Sequence, residues 1–285
     1  MTSSPRIAVS GATRVVGVIG DPVAHSLSPI IHNAGFFELG LDWVCVAFPT
    51  LRGEAAAAVQ GMRALGIEGL SVTMPHKAAV IEAIDVLSET ARVLDAVNCV
   101  SRSANQVFGH NTDGDGFLAA MRAEFDFDPA GRVCAVLGAG GAARSVILAL
   151  KHAGASEILV INRTPEAAAT AALLAGDAGS VAQVEALPRA DLVVNATSVG
   201  MAGTGSALGM PCDPSWLRKN CFVADLIYHP AQTQLMLAAD QHGCQVANGI
   251  SMLIHQAALA FEVWTGEKAP VDAMTRAVQA AVQKH

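Results

Sequence analysis

The chain has 285 residues, which on the usual domain size indicates two domains. Hydrophobic residues make up 52% of it, but the apolar runs are of strand length, far short of the roughly 18 residues of a membrane-spanning helix. A net charge of −7 without a basic cluster makes nucleic acids and anionic membranes poor partners. Met1–Ser10 lacks the features of a secretory signal, so we expect a cytoplasmic protein.

The first hundred residues alternate short apolar runs with helix-like stretches, a pattern typical of a parallel sheet covered by helices. The predicted elements are strand Val15–Ile19, helix Pro29–Leu39 with Ser28 as its N-cap and Gly40 as its stop, strand Trp43–Phe48, helix Gly53–Leu65, strand Gly69–Thr73, and a further helix from Pro75. These elements predict one α/β domain.

A second α/β series begins near Arg132, after a helix predicted over Gly116–Glu124. Its elements are strand Val133–Leu137, a glycine turn, helix Ala142–Ala153, strand Glu157–Ile161, helix Pro165–Ala175, strand Asp191–Asn195 and strand Phe222–Leu226. This layout is typical of a nucleotide-binding domain. The last stretches, Ile250–Trp264 and Val271–Lys284, are helical by period, and we expect them to pack back on the first domain.

The six cysteines contain no CxxC pair, and several lie in apolar runs. We therefore expect reduced thiols in the core rather than disulfides or a metal site. The nine histidines are scattered and show no metal-ligand spacing. No metal is predicted.

A glycine-rich turn, residues 138–143, follows a predicted strand and opens a predicted helix. Gly138 permits a tight turn, Gly140 lets a pyrophosphate approach the backbone, and the small Ala143 permits close packing of helix on strand. A glycine turn of this kind also occurs for structural reasons alone. In its strand–turn–helix context it favours a dinucleotide.

The next predicted strand ends at Asn162-Arg163-Thr164, where an NAD enzyme has an acid that binds the ribose 2′-hydroxyl. A guanidinium and a hydroxyl can instead hold a 2′-phosphate, so this position predicts NADP. The alternative is a solvated arginine beside an asparagine turn.

Two polar segments lie at strand-to-helix junctions. Thr73 and Lys77 flank Pro75 at a predicted helix start, where anions are favoured, and Asp113 lies in Asn111-Thr112-Asp113-Gly114. Lys77 and Asp113 could form an acid/base pair. Taken singly, Lys77 is better explained as a surface cation and Asp113 as an N-cap. Ser26 and Ser28 likewise read locally as a helix cap.

Together these motifs resemble the shikimate dehydrogenase family along nearly the whole chain. The resemblance is carried by Ser26-Leu27-Ser28-Pro29, Val72-Thr73-Met74-Pro75-His76-Lys77, Ala96-Val97-Asn98, Asn111-Thr112-Asp113-Gly114, Gly138-Ala139-Gly140-Gly141-Ala142, Asn162-Arg163-Thr164, Asn195-Ala196-Thr197, Asp225-Leu226-Ile227-Tyr228 and Gln256-Ala257-Ala258.

The resemblance implies an NADP enzyme that interconverts shikimate and 3-dehydroshikimate in the route to chorismate and aromatic amino acids, with its active site in a cleft between two domains. It implies a substrate-binding and catalytic domain over 1–112 plus 250–285 and a Rossmann-type NADP-binding domain over 113–249. Lys77 and Asp113 match the catalytic pair, and the substrate-binding residues are Ser26, Ser28, Thr73, Asn98, Tyr228 and Gln256. The cofactor-binding residues are Gly138, Ala139, Gly140, Gly141, Ala142, Asn162, Arg163, Thr164, Thr197 and Gly249.

Two residues depart from the family pattern: Ser71 replaces a frequent Asn, and Ala167 occupies the place of a second 2′-phosphate arginine in some members. A quinate/shikimate paralogue with a broader substrate range or NAD use stays open, and the space around Ser26, Ser28 and Tyr228 decides whether the extra C1 hydroxyl of quinate fits. A non-catalytic NADP-sensing module also stays open, although it would not need both Lys77 and Asp113. A methyltransferase is disfavoured by Arg163, because a free ribose usually requires an acid there. A monomer or a homodimer is expected.

Overall fold

The computed structural model describes residues 9–283, which form two compact units. The first contains the described residues up to Thr112 and those from Ala257 onward, and the second is Asp113–Gln256. The second boundary predicted from the sequence lies at 249/250, whereas the units divide at 256/257, inside a helix. The expectations for Met1–Ser10 and for a helix reaching Lys284 extend outside the described residues. No helix within residues 9–283 is both long and apolar enough to cross a membrane.

The first unit is built on a six-stranded sheet in the order β2-β1-β3-β5-β6-β4. Its elements are β1 (Arg14–Gly20), α1 (Ser28–Glu38), β2 (Trp43–Pro49), α2 (Ala55–Leu65), β3 (Gly69–Val72), a 3₁₀ helix (Ala79–Ala83), β4 (Val86–Leu87), α3 (Glu89–Leu94), β5 (Cys99–Ser103) and β6 (Gln106–His110). The strands β1, β2 and β3 are parallel, as predicted, but β5 runs antiparallel to both β3 and β6. The sheet is therefore mixed: its three predicted strands are parallel, and its antiparallel part was not predicted.

The predicted helix beginning at Pro75 does not form. Pro75 lies in a turn, and the next helical segment is the short 3₁₀ helix that starts at Ala79. The turn is closed by the His76 N–H, which donates to Thr73 O at 3.0 Å. Thr73 itself lies just beyond β3.

The C-terminal helices α8 (Gly249–Thr265) and α9 (Val271–Val282) supply part of the first unit's core, as predicted. In the second half of α8, the Phe261 ring lies 5.1 Å from that of Phe36, between centroids. The Trp264 indole N–H donates to Val100 O at 2.9 Å. Gly35 permits the close packing of α1 on α9, since a Cβ there would lie 2.6 Å from Met274.

The second unit has six parallel strands in the order β12-β11-β10-β7-β8-β9. Its elements are α4 (Asp113–Phe125), β7 (Val133–Leu137), α5 (Gly141–His152), β8 (Glu157–Ile161), α6 (Pro165–Ala172), β9 (Gly179–Val181), β10 (Leu192–Asn195), β11 (Phe222–Asp225), α7 (Gln234–Gln241) and β12 (Gln245–Ala247), with 3₁₀ turns at Leu173–Ala178, Val184–Arg189 and Pro214–Trp216. This is the strand order of the dinucleotide-binding fold. Strands β8 and β9 follow on one side of β7, and strands β10, β11 and β12 follow on its other side, so the order switches between β7 and β10.

The central strands of this unit are buried on both faces. Val136, Ile158 and Val194 are wholly buried beneath helices, which explains why these strands are continuous apolar runs in the sequence. All six cysteines are buried and none forms a disulfide. The sulfurs of Cys221 and Cys244, at the starts of two adjacent strands, lie 3.5 Å apart.

Candidate active site

In the first unit, the polar segment from Thr73 to Lys77 is anchored at both ends. The Thr73 N–H donates to Ile19 O (3.0 Å), and Lys77 O accepts from the Val97 N–H (2.8 Å). Between them the buried His76 ring bonds to Thr50 O through Nε2 at 2.7 Å. These bonds hold the half-buried Lys77 on a fixed backbone rather than on a helix N-terminus.

Asn98 links this segment to the end of the sheet. Its amide Nδ2 donates to Thr112 Oγ1 (2.9 Å), and its Oδ1 accepts from the Thr112 N–H (2.8 Å). Both residues are buried. The backbone of Asn98 also accepts from the Val72 N–H, one residue before Thr73. A side chain 14 residues away therefore fixes the backbone immediately before Asp113.

The two serines do not cap helix α1, contrary to the local prediction for Ser28. The helix begins at Ser28 itself, its N-cap is Leu27, and no side chain accepts a cap hydrogen bond. The Ser26 hydroxyl donates to Ser28 Oγ at 3.2 Å, and the Ser28 N–H donates to Ser26 Oγ at 3.3 Å. The pair forms a small hydroxyl cluster, and its loop is tied to the Thr73–Lys77 segment by the Asp21 N–H, which donates to Met74 O at 3.0 Å.

Asp113 is the first residue of α4 in the second unit, and its side chain is buried. The prediction started this helix at Gly116, three residues late. Two glycines allow the first turn to pack closely: a Cβ at Gly114 would lie 2.7 Å from Ser145 O, and one at Gly116 would lie 2.6 Å from the Gln256 backbone. The same contact places Gln256 beside α4, where its side-chain amide donates to Leu253 O at 2.8 Å.

The glycine turn after β7 has the geometry that a dinucleotide requires. Gly138 has φ +116, and its N–H donates to Ile161 O at 2.8 Å. A Cβ at Gly140 or Gly141 would meet nothing within 4 Å, so the backbone at the start of α5 is open to a ligand. Ala143 is fully buried against the sheet. A tight turn, an open backbone and a closely packed helix are the features that the fingerprint motif requires.

At the end of β8, Arg163 and Thr164 are exposed, and the Asn162 amide donates to Thr164 O at 3.0 Å. Thr164 is the N-cap of α6 but makes no side-chain cap bond. The strand end thus presents a guanidinium and a hydroxyl, without an acid, to an anionic ligand.

A buried polar network lies behind the loops that follow β10 and β11. Asn195 Oδ1 accepts from the Thr197 N–H (3.0 Å) and hydroxyl (2.7 Å), and Asn195 Nδ2 donates to Asp225 Oδ1 at 3.0 Å. Asp225 also accepts from the Ile227 N–H (3.1 Å) and, through Oδ2, from the Thr233 hydroxyl (2.7 Å). Burial raises the pKa of the Asp225 carboxyl, although these hydrogen bonds oppose the shift.

The network positions two residues predicted to bind ligands, Thr197 and Tyr228. Sequence reasoning assigned no role to Asn195, Asp225 or Thr233, although an acid at the end of the apolar strand Phe222–Asp225 was a signal that could have been followed. Tyr228 is half-buried, and burial raises the pKa of its phenol. Gly249, which begins α8, permits a close backbone approach, since a Cβ there would collide with Leu226 O.

The predicted residues are thus distributed over both units. Ser26, Ser28, Thr73, Lys77 and Asn98 belong to the first, while Asp113, Tyr228, Gln256 and all predicted cofactor residues belong to the second. The cofactor residues lie at or after the carboxyl ends of parallel strands β7, β8, β10 and β12, the edge at which this fold binds dinucleotides. Within residues 9–283, no cluster of three or more His, Cys, Asp or Glu side chains is suited to a metal ion.

Comparison with known families matches three parts of the chain. Residues 18–100 match the shikimate dehydrogenase substrate binding domain, residues 120–205 match shikimate / quinate 5-dehydrogenase, and residues 249–279 match the shikimate 5′-dehydrogenase C-terminal domain.

Individual relatives match over almost their full length. A shikimate dehydrogenase (NADP(+)) of Moorella thermoacetica is 43% identical, over 97% of this chain and 96% of its own. The shikimate 5-dehydrogenase of Thermus thermophilus in complex with NADP(H) and shikimate is 35% identical with a TM-score of 0.87, covering 94% of this chain and 99% of its own. The quinate dehydrogenase of Corynebacterium glutamicum in complex with NAD is 31% identical with a TM-score of 0.86, covering 94% and 99%.

Proposed function

Because the chain belongs to the shikimate dehydrogenase family, we propose that it interconverts shikimate and 3-dehydroshikimate with NADP as cofactor, in the biosynthesis of chorismate and aromatic amino acids. The observation that carries this proposal is the full-length similarity to NADP-dependent shikimate dehydrogenases. The acid-free strand end at Asn162-Arg163-Thr164 supports the choice of NADP.

The substrate-binding residues act as hydrogen-bond donors and acceptors to a small polyhydroxylated acid. The hydroxyls of Ser26 and Ser28 bind the substrate carboxylate, with Tyr228 near it. Their mutual hydrogen bonds, in the absence of a capping bond, support this ligand role for the serines over a structural one. Thr73, Asn98 and Gln256 bind the ring hydroxyls.

Lys77 and Asp113 are the catalytic pair in this proposal. During reduction the oxygen at ring C3 gains negative charge, which the Lys77 ammonium stabilises before donating a proton to it. Asp113 keeps the ammonium and the substrate hydroxyl in register. The fixed backbone around Lys77 and the Asn98–Thr112 bonds before Asp113 support these roles, because general acid catalysis requires held donors.

Bound NADP supplies the hydride chemistry at its nicotinamide ring. The open backbone at Gly140 and Gly141 receives the pyrophosphate at the N-terminus of α5. Arg163 pairs with the 2′-phosphate, flanked by Asn162 and Thr164. Gly138, Ala139, Ala142, Thr197 and Gly249 complete the predicted cofactor set.

Initial rates with shikimate and with quinate, each with NADP and with NAD, test this function. We expect the highest kcat/KM for shikimate with NADP. A preference for quinate would instead indicate the broader paralogue, of which the similar quinate dehydrogenase structure is an example. No turnover with either substrate would indicate the non-catalytic sensing module.

The cofactor assignment is tested separately with Arg163→Ala. One charge-assisted pair contributes about 1.5–3 kcal/mol, so KM for NADP should rise about 10- to 100-fold while NAD kinetics stay nearly unchanged. The exposed Arg189 at the opposite edge of the sheet, replaced by Ala, is the control. Equal losses with both cofactors would contradict a 2′-phosphate role for Arg163.

The assignment of substrate binding to the first domain, 1–112 plus 250–285, and of NADP binding to 113–249 is part of the same proposal. So are the cytoplasmic location and the monomeric or homodimeric state. Sedimentation velocity at micromolar concentration distinguishes the two oligomeric states.

A further inference from the structure

Apart from Arg122 in α4, the arginines of the second unit divide into two groups by the edge of the sheet at which they lie. At the amino ends of the strands, Arg132 and Arg218 pair with Asp191, and Arg189 pairs with Glu157. At the carboxyl ends, Arg144 and Arg163 make no ion pair with any described residue. Two guanidinium groups without an acidic partner therefore lie at the edge where this fold binds its ligand.

Arg144 is unfavourably placed for a protein without a bound anion. It lies in the first turn of α5, four residues after the N-cap Gly140, where the helix dipole opposes a positive charge. Its Nε is buried and has no hydrogen-bond partner. Nothing in the described chain offsets either cost, and such local conflicts are characteristic of functional sites.

The face of α5 that carries Arg144 lies toward the 3₁₀ turn Leu173–Ala178, which follows α6. Lys151, seven residues further along the helix and thus on the same face, lies beside Gly176 in the 3₁₀ turn that follows α6. Helix side chains lean toward the N-terminus, which directs Arg144 toward the open end of α5. Since β8 is the neighbour of β7, this is the side on which Asn162-Arg163-Thr164 leaves the sheet.

We propose that Arg144 is a specificity-determining residue for NADP, a second cation that binds the adenosine 2′-phosphate together with Arg163. This inference rests on the proposed NADP function and adds to it a residue outside the Asn162-Arg163-Thr164 segment. A 2′-phosphate carries close to two negative charges, which one exposed guanidinium neutralises only in part. The planar guanidinium of Arg144 can share its oxygens with Arg163.

Binding of nucleotide fragments by isothermal titration calorimetry tests the proposal without turnover. Adenosine 2′,5′-bisphosphate carries the 2′-phosphate and lacks a pyrophosphate, whereas 5′-AMP lacks the 2′-phosphate and ADP carries a pyrophosphate. Arg144→Met should weaken binding of the bisphosphate about 10- to 100-fold and leave 5′-AMP and ADP within about twofold, since one charge-assisted pair is lost. Arg144→Lys should retain part of the affinity.

Lys151→Met, on the same face of α5 but two turns away, is the matched control and should leave all three affinities unchanged. Thermal unfolding without ligand separates binding from packing: Arg144→Met should melt at the wild-type temperature or above it, because an unpaired cation at the helix N-terminus has been removed. A lower melting temperature with unchanged bisphosphate affinity would overturn the proposal. So would equal weakening of the bisphosphate, 5′-AMP and ADP.

The NADP assignment and the role of Arg144 are contradicted by different results. If the wild-type chain does not distinguish the bisphosphate from 5′-AMP, the NADP assignment itself is wrong. If the wild type distinguishes them and Arg144→Met does so equally well, only the role of Arg144 is wrong.

Discussion

The polar residues at the strand ends of the two units are held in different ways. In the first unit the polar residues are buried and bonded to one another, as Asn98 is to Thr112. In the second, the glycine turn and Arg163 are open to solvent and bonded mainly through the backbone. Changes at Asn98 and Thr112 should therefore affect stability as well as activity, whereas changes at the open edge should chiefly affect binding.

The second unit also contains a buried network, but behind the open edge rather than in it. Asn195 and Asp225 hold the two loops that bear Thr197 and Tyr228. The network of the first unit is built of neutral groups, whereas this one contains a carboxyl. Residues proposed to contact ligands are thus distinct from the residues that position them.

The largest effect is expected at Lys77. Its substitution tests whether this residue of the first unit, whose backbone is fixed by hydrogen bonds, takes part in catalysis. Lys77→Ala should lower kcat about 10²–10⁴-fold with a smaller change in KM, because its main interaction is with charge that develops in the transition state. Asp113→Asn should cost a similar factor and combine non-additively with it. The exposed Lys268 of the same unit, replaced by Ala, is the control. A Lys77→Ala kcat within about threefold of wild type would exclude the catalytic role.

Substitutions of Asp225 test whether this residue positions neighbouring loops rather than contacting a ligand. Asp225→Ala removes the acceptor of three buried hydrogen bonds, at about 1–3 kcal/mol each, so urea denaturation should show a loss of about 3 kcal/mol or more. Asp225→Asn keeps an acceptor for Asn195 and Ile227 and should lose far less.

The pH dependence of the Asp225 variants has a definite sign. Burial raises the folded-state pKa of this carboxyl, so its linkage contribution is fully present below the unfolded-state pKa and is lost as pH rises through the folded-state value. Asp225→Asn should therefore gain stability relative to wild type as pH rises through that range. A constant difference across the range would show that the carboxyl does not titrate differently in the folded state.

Ser26 and Ser28 distinguish a ligand role from a structural one within the first unit. Each Ser→Ala change should raise KM for shikimate about 10- to 100-fold, since hydrogen bonds to a carboxylate contribute about 1.5–3 kcal/mol and are made equally in ground and transition states. Because neither serine caps α1, the melting temperature should barely change. The opposite pattern, an unchanged KM with a loss of about 1 kcal/mol, would identify a cap.

The smallest effect concerns His32, a buried residue of the first unit that no ligand role uses. Its ring lies 4.7 Å from that of Trp264 and neither ring nitrogen has a partner, so burial lowers its pKa to about 3. A lowered folded-state pKa gives stability that is present above about pH 6.5 and is lost as pH falls from there toward 3.

At about pH 5 this loss amounts to about 2 kcal/mol relative to about pH 6.5, at about 1.4 kcal/mol per pH unit. His32→Leu should remove that part of the pH dependence, which guanidinium denaturation at the two pH values measures. Identical pH slopes for wild type and variant would contradict a neutral, buried His32. The Asp225 and His32 variants thus compare how one buried titratable group in each unit affects the pH dependence of stability.

Sequence patterns were sufficient for elements whose periodicity is local. Strands Val133–Leu137 and Glu157–Ile161 match their predicted bounds, because a parallel strand buried on both faces is a continuous apolar run ended by glycine or polar residues. The glycine turn and Arg163 could also be proposed as cofactor-binding residues from the sequence, because the backbone and charge requirements of a dinucleotide act on adjacent residues.

Elements that depend on pairing were missed. The antiparallel pair Cys99–Ser103 and Gln106–His110 mixes buried and polar residues, and the short strands Gly179–Val181 and Gln245–Ala247 become strands only through their neighbours in the sheet. Pro75 resembles a helix start but is followed by a turn closed by Thr73 and His76.

By itself, then, the sequence determined the alternation of elements, the dinucleotide turn and the set of candidate ligand-binding residues, since each depends on residues close together in the chain. Only the tertiary structure decided that Asn98 holds Thr112 across 14 residues, that Asn195 holds Asp225 across 30, and that Arg144 lies unpaired beside the open edge. Burial and hydrogen-bond partners belong to the folded arrangement, because desolvation and pairing depend on neighbours that the linear order does not specify.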